Sequence, residues 1–225
     1  MSKVHFHEIV NSFYVKLGLD YRSKLVHGQI CFSVVHYCYE NRQIWRPSGL
    51  DSSSTQATFF QIEPSPGDAY SSGRVLHTPK LGAGEEFPVV RAKRRPVVVL
   101  LPPREQIDTK DSGGAMKINK KLTTVAPCYG LVDEMGNSKL DPAFLGRVGM
   151  LEFEHFMFLP GQMPLDKDSL LRLDSATHVF YPHLEPTQHA LSEEVWNVVA
   201  GQLQRLLKTG PGDDYLSARE QLMKQ

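Results

Sequence analysis

Apolar side chains recur at helical spacing near the start of the chain. Phe6, Ile9, Val10, Phe13, Tyr14 and Leu17 fall on one face, and Gly18 follows where a helix C-cap belongs. The pattern predicts an amphipathic N-terminal helix. From residue 29 to 39 the chain turns β-branched and aromatic, the signature of a strand. Residues 96–101 are continuously apolar, so the strand they predict is covered on both faces, and Pro102-Pro103 ends it. Residues 122–129 predict the next strand, in which Pro127 marks an edge, an end or a bulge. Residues 140–145 read as a helical turn, and 147–159 as a long aromatic strand closed by Pro160-Gly161. Two short strands follow at 169–173 and 178–181. Ser192 then opens the clearest helix, with Glu193 and Glu194 in its first turn. Its buried stripe is Val195, Val199, Leu203, Leu206 and Leu207, and Lys208, Gly210 and Pro211 finish it.

Residues 46–88 break this rhythm. Pro47-Ser48-Gly49, Ser52-Ser53-Ser54, Pro64-Ser65-Pro66-Gly67 and Gly82-Ala83-Gly84 punctuate the stretch, and only Thr58-Phe59-Phe60-Gln61-Ile62 looks like a strand. A loop this long in a compact domain is functional or disordered. The expected organisation is a helical extension at 1–26, a domain at 27–209 carrying an insertion at 46–88, and a tail or short helix at 210–225. The fold class is mainly β, with helices added.

With 225 residues, the chain suits one domain with additions or two small ones. Its formal net charge is zero, so the total argues neither for nor against a nucleic-acid partner. The distribution does more. Residues 91–121 hold nine Lys and Arg against three acids, which leaves the remainder with an excess of six acids. A basic patch on a neutral protein is the form an anion site takes. Four of the five residues 91–95 are basic, and they sit where the chain enters the 96–101 strand. Three cysteines, Cys31, Cys38 and Cys128, make no CxxC pair, so neither a disulfide framework nor a zinc knuckle is suggested. No apolar run reaches the roughly 18 residues of a membrane span and no signal-peptide core is visible, so a cytoplasmic protein is expected.

Five short motifs occur in order: Gly28-Gln29-Ile30; Arg95-Pro96-Val97-Val98-Val99-Leu100; Val125-Ala126-Pro127-Cys128-Tyr129; Leu159-Pro160 leading to Asp168-Ser169-Leu170-Leu171-Arg172-Leu173-Asp174; and Leu191-Ser192-Glu193-Glu194 opening the helix. Their order resembles the PemK/MazF family of toxin-antitoxin ribonucleases over residues 28–39 and 93–208. The resemblance implies a small, strongly bent β-barrel with a C-terminal helix, and a homodimer whose groove takes single-stranded RNA. It also implies metal-independent cleavage, in which a ribose 2′-hydroxyl attacks the adjacent phosphate without a cofactor. The family's arginine falls on Arg95, whose guanidinium fork matches phosphate oxygens and stabilises developing negative charge. Its expected partner is Tyr129, where the family carries Thr; Tyr places its hydroxyl several ångströms farther out. Gln29 stands where the family has Asp. Arg91, Lys93, Arg94, Lys120 and Lys121 are the expected RNA-binding cations. The departures admit a second outcome: an inactive binding or regulatory subunit of a toxin-antitoxin or defence system, joined to an antitoxin or an operon-encoded partner. A related DNA-directed activity is a third, with no residue selecting it.

Other constellations compete with these. His5 and His7 are two apart, so they do not share a face of a helix, and no metal site is expected there. His36 and Cys38 share one side of a strand, but two ligands do not complete a site. Glu152 and Glu154 share one side of the expected 147–159 strand, where a solvated edge is commoner than acid–base chemistry, and His155 falls on its apolar side. Cys128 lacks an identifiable base and reads as packing. His178, His183 and His189 are spread over a strand and a loop. Trp45, Tyr181 and Trp196 are candidate base-stacking surfaces.

Overall fold

Proline sits where the main sheet exchanges one neighbour for another. In the computed structural model, which describes residues 4–37, 43–50, 57–62, 87–103 and 122–224, the chain forms two compact units, Val35–Lys93 and Met1–Val34 with Arg94–Gln225. The elements in chain order are α1 (Phe6–Ile9), β1 (Tyr14–Lys16), β2 (Gln29–His36), β3 (Gln43–Leu50), β4 (Ala57–Ile62), β5 (Phe87–Val89), β6 (Ala92–Leu101) and β7 (Leu122–Gly130). Then come α2 (Pro142–Gly149), β8 (Phe156–Leu159), β9 (Ser169–Arg172), β10 (Thr177–Phe180), β11 (Glu185–Leu191), α3 (Glu193–Leu206) and α4 (Asp213–Met223). The protein is thus mainly antiparallel β with a few helices.

The larger sheet runs β1-β11-β2-β6-β7-β9-β8, with β10 also on β7. Along one edge of β7, Val125 to Leu122 pair with β10, and Cys128 to Gly130 pair with β9. Pro127 lies at the changeover and has no N–H to give, so a ladder donor is missing where the sheet switches partner. Its other edge still faces Val97 of β6. The expected barrel is not closed: among the described residues no pairing joins β8 to β1. The last strand, β8, lies instead against α2, and β1 is only three residues long.

The core collects Ile30, Val98, Leu100, Ala126, Cys128, Leu151, Met157, Leu159, Leu171 and Leu173 from the sheet region. Val195, Val198 and Val199 of α3 and Tyr215, Ala218 and Leu222 of α4 cover it. Ser192 caps α3 as expected, its Oγ accepting from Val195 N–H at 3.4 Å. Leu207 is 66% exposed rather than part of the stripe, because the helix ends at Leu206. Gln202, unforeseen, takes a buried place and donates to the Phe153 and Phe156 carbonyls.

Two other expectations are corrected. The N-terminal helix is a single turn: by Val10 the backbone is extended, and Tyr14–Lys16 pair with β11 instead. Phe6 and Phe13 still reach the same core, so sheet pairing displaces the helix without losing their burial. The aromatic run at 147–159 is not one strand. Asp141 caps α2, accepting from Ala143 N–H at 3.2 Å with Pro142 next, so Arg147–Gly149 remain helical. Leu151 then adopts a φ of 56°, and only Phe156–Leu159 is strand.

The smaller unit holds a sheet ordered β4-β3-β5. Expected strand 58–62 is β4, and β3 and β5 overlap the two ends of the 46–88 stretch, expected to be loop there. Within this unit Ile44 is buried, and Tyr37 N–H donates to the Arg91 carbonyl.

Candidate functional site: an arginine and aromatic sheet face

Strand register brings Arg95 and Tyr129 together. In β6 and β7, Val97 faces Pro127, so two residues farther Arg95 faces Tyr129. The Arg95 Cζ lies 4.4 Å from the Tyr129 ring centroid, within cation–π range. Tyr129 in turn faces Leu170 of β9, and Arg172, two residues on, points to the same side. The Arg172 Cζ is 5.8 Å from the Tyr129 ring and 5.8 Å from the ring of Phe156, its opposite number on β8. Asp174 fixes the Arg172 fork, accepting from Nε at 3.0 Å and from Nη2 at 2.5 Å.

The alternation continues past Phe156. Its ring meets Phe153 at 6.1 Å and Phe144 of α2 at 5.8 Å. Arg147 lies 4.6 Å over Phe153, and Glu152 accepts from its Nε at 2.6 Å. One side of the larger unit therefore presents arginine, tyrosine, arginine, phenylalanine, phenylalanine and arginine in succession. Planar guanidinium groups and π-faces together suit a ligand with phosphates and flat bases. Arg172, Phe156 and Arg147 did not emerge as site residues from the sequence; the signal was the Leu-Leu-Arg-Leu-Asp segment, whose strand partner was not legible.

Of the other expected cations, Arg94 does not join this face. Arg94 turns to Glu185, donating from Nε at 3.2 Å and from Nη2 at 2.5 Å, and its Cζ sits 4.2 Å over Phe32. The arginine hydrogen bond holds the Glu185 carboxyl below the usual carboxylate range. In the smaller unit, Arg91 lies 5.3 Å over Tyr37 and Lys93 is exposed. Lys120 and Lys121 lie outside the described residues.

Gln29 is buried and fully employed. Its Oε1 accepts from Val26 N–H at 3.1 Å, and its Nε2 donates to the Tyr21 and Thr187 carbonyls at 2.9 and 3.0 Å. It braces β2 and β11 and has no exposed surface to offer a ligand. Glu152 and Glu154 are not an acid–base pair: Glu152 binds Arg147, and Glu154 binds Arg205 at 2.6 Å. His155 is exposed, not on an apolar side. Cys31 and Cys128 are buried; burial pushes the Cys31 thiol up to about 12 and raises Cys128 as well, so neither is a ready nucleophile. Cys38 lies outside the described residues.

The remaining histidines and aromatics are dispersed. His178 Nδ1 is 3.0 Å from Thr124 Oγ1, and His183 packs edge-on to Phe180. Trp196 stacks on His27 at 5.2 Å, and the Tyr181 hydroxyl donates to the Arg22 carbonyl. Trp45, in the smaller unit, is 44% exposed. Among the described residues one group of potential metal ligands converges, His5, His7 and Glu8, whose ligand atoms all lie within 4.8 Å of one another. No helix among them is long and apolar enough to cross a membrane. Comparison of the chain with protein-family models, with curated proteins and with solved structures returned no match.

Proposed function

We propose that the chain is a cytoplasmic protein of the PemK/MazF kind whose Arg95 face takes single-stranded RNA and cleaves it. The observation that carries this reading is the Arg95 guanidinium lying 4.4 Å from the Tyr129 ring, with Arg172 on the same side. In the proposed step a ribose 2′-oxygen forms a bond to phosphorus and the bond to the 5′-oxygen breaks. The 2′-hydroxyl proton is lost and the departing oxygen gains one, leaving a 2′,3′-cyclic phosphate. Arg95 meets the charge that builds on the non-bridging oxygens, where a preorganised cation contributes most. Tyr129 and Phe156 offer π-faces on which bases stack. A strongly bent sheet, a homodimer and an antitoxin belong to the same proposal.

A second reading follows from one observation. Tyr129 stands where the resemblance implies Thr, and its ring is within reach of two guanidinium groups. A face of this kind binds RNA without cutting it, as a regulatory subunit would.

One experiment separates the two. Purified protein is incubated with a mixed pool of single-stranded RNA in EDTA, and both retention and fragment ends are measured. Cleavage to cyclic-phosphate ends that disappears in Arg95→Ala supports the nuclease. Retention of intact RNA, weakened in Arg95→Ala, supports the binding subunit. Neither retention nor cleavage at any protein concentration refutes both.

A further inference from the structure

We propose that His5, His7 and Glu8 form a binding site for a divalent transition-metal ion of the zinc class. On a continuous helix, residues 5 and 7 diverge. Here His5 precedes the helix with an extended backbone, φ −99° and ψ 154°, while His7 and Glu8 lie within the turn of α1. The change of backbone between residues 5 and 6 brings the rings to 5.7 Å, and all three ligand atoms within 4.8 Å of one another.

The surroundings hold these groups in place. His7 rests on Phe158 of β8 with ring centroids 4.6 Å apart. His5 packs against Gly149 at the end of α2, where an added Cβ would come within 2.9 Å of the His5 Cγ. Glu8 Oε2 accepts from His5 N–H at 2.7 Å, which orients the carboxylate and leaves Oε1 for a ligand. The Nδ1 of His7 is buried and has no hydrogen-bond partner among the described residues. A buried polar atom left in this state costs free energy, which an ion bound at that nitrogen would offset.

Two nitrogen donors and one oxygen select a borderline cation over calcium or magnesium, which take oxygen ligands. Zinc bonds of about 2.0–2.2 Å place ligand atoms about 3.4 Å apart in a tetrahedron, so the present spacing closes by at most about 1.4 Å through side-chain rotation. Three protein ligands leave a fourth position for water. None of the three residues belongs to the Arg95 face. The ion would fix the His5 and His7 rings in the positions in which they pack on Gly149 of α2 and Phe158 of β8, so its expected role is to steady the N-terminal segment.

The test uses the full chain without an affinity tag, stripped with chelator and dialysed. Zn²⁺ is titrated by calorimetry, Co²⁺ is followed by its visible d–d bands, and imidazole nitrogen shifts are recorded by NMR. The expected result is one ion per chain at micromolar affinity, tetrahedral-type cobalt bands, shifts confined to His5 and His7, and a melting midpoint raised by the ion. His5→Ala and Glu8→Gln should each weaken binding by at least about tenfold, as should His7→Phe, which keeps a ring against Phe158. Shifts at His27, His178, His183 or His189 instead, equal affinity in the His5 and Glu8 variants, or no binding at micromolar ion would overturn the proposal. If His7→Phe does not fold, the other two variants and the NMR shifts decide.

Discussion

Replacing Gln29 with leucine should lower stability by about 3 kcal/mol. The side chain is fully buried and makes three hydrogen bonds to main-chain atoms, of Val26, Tyr21 and Thr187. Leucine preserves most of the volume, so the cavity contribution is small. What is lost is about 1 kcal/mol for each hydrogen bond, and the stranded Val26 N–H and two carbonyls carry any excess. For a chain of this size, 1 kcal/mol corresponds to about 2–4 °C, so the melting midpoint should fall by about 6–12 °C. Urea unfolding followed by circular dichroism measures the free-energy change directly. Gln29→Glu is the sharper companion. It keeps an acceptor for Val26 N–H but turns the two donor positions into carboxylate oxygen facing carbonyls, so it should be more damaging than leucine at pH 8 and partly recover at pH 5. A loss below about 1 kcal/mol in the leucine variant, or a glutamate variant indifferent to pH, would refute the view that Gln29 is a buried clamp.

Three further outcomes are expected. Tyr215→Phe removes a buried hydroxyl that donates to the Leu151 carbonyl at 2.7 Å and should cost about 1–2 kcal/mol in urea unfolding. Cys31 has a folded-state pKa raised from 9.0 to about 12, so its contribution is intact below pH 9 and is lost as pH rises towards 12. Cys31 alone should therefore take about 1 kcal/mol per pH unit from stability above pH 9, so Cys31→Ala should show a decline shallower by that amount in parallel unfolding curves. On the proposed RNA face, Arg95→Ala and Arg172→Ala should each reduce the slope of log affinity against log salt by about 0.7, measured by filter binding; unchanged slopes would remove these arginines from phosphate contact.

The parts of the fold legible in the sequence are those whose local signals and tertiary roles agree. Helix α3 was readable because its serine cap, acidic first turn and apolar stripe coincide, and the 96–101 part of β6 because it is continuously apolar. Strand β11 was not, since its polar residues hide its place beside β2. Thr187 donates its hydroxyl to the Ile30 carbonyl, and Gln188 donates its amide to the Leu17 carbonyl. The aromatic run after Arg147 misled because burial in a small cluster with Phe144 and Leu170 does not require a strand. At the candidate site, Arg95 and Tyr129 were nominated from motifs and meet through register. Arg172 and Phe156 needed the β8–β9 pairing, which no sequence motif announces. The histidines at 5 and 7 were set aside on a helical spacing that the extended backbone at His5 removes.

The position of β11 has a consequence for synthesis. It pairs with both β1 and β2, yet each of its paired residues is made more than 150 positions after its partner. While the nascent chain is still emerging from the ribosome, β1 has no sheet partner and β2 keeps one edge unpaired until residues 185–191 appear. Long-range pairing of this kind is slow, and an uncovered edge invites association with other chains. Truncated translation products ending before residue 185 should therefore be the species most prone to aggregate, and the ones most dependent on chaperones that bind at the exit tunnel.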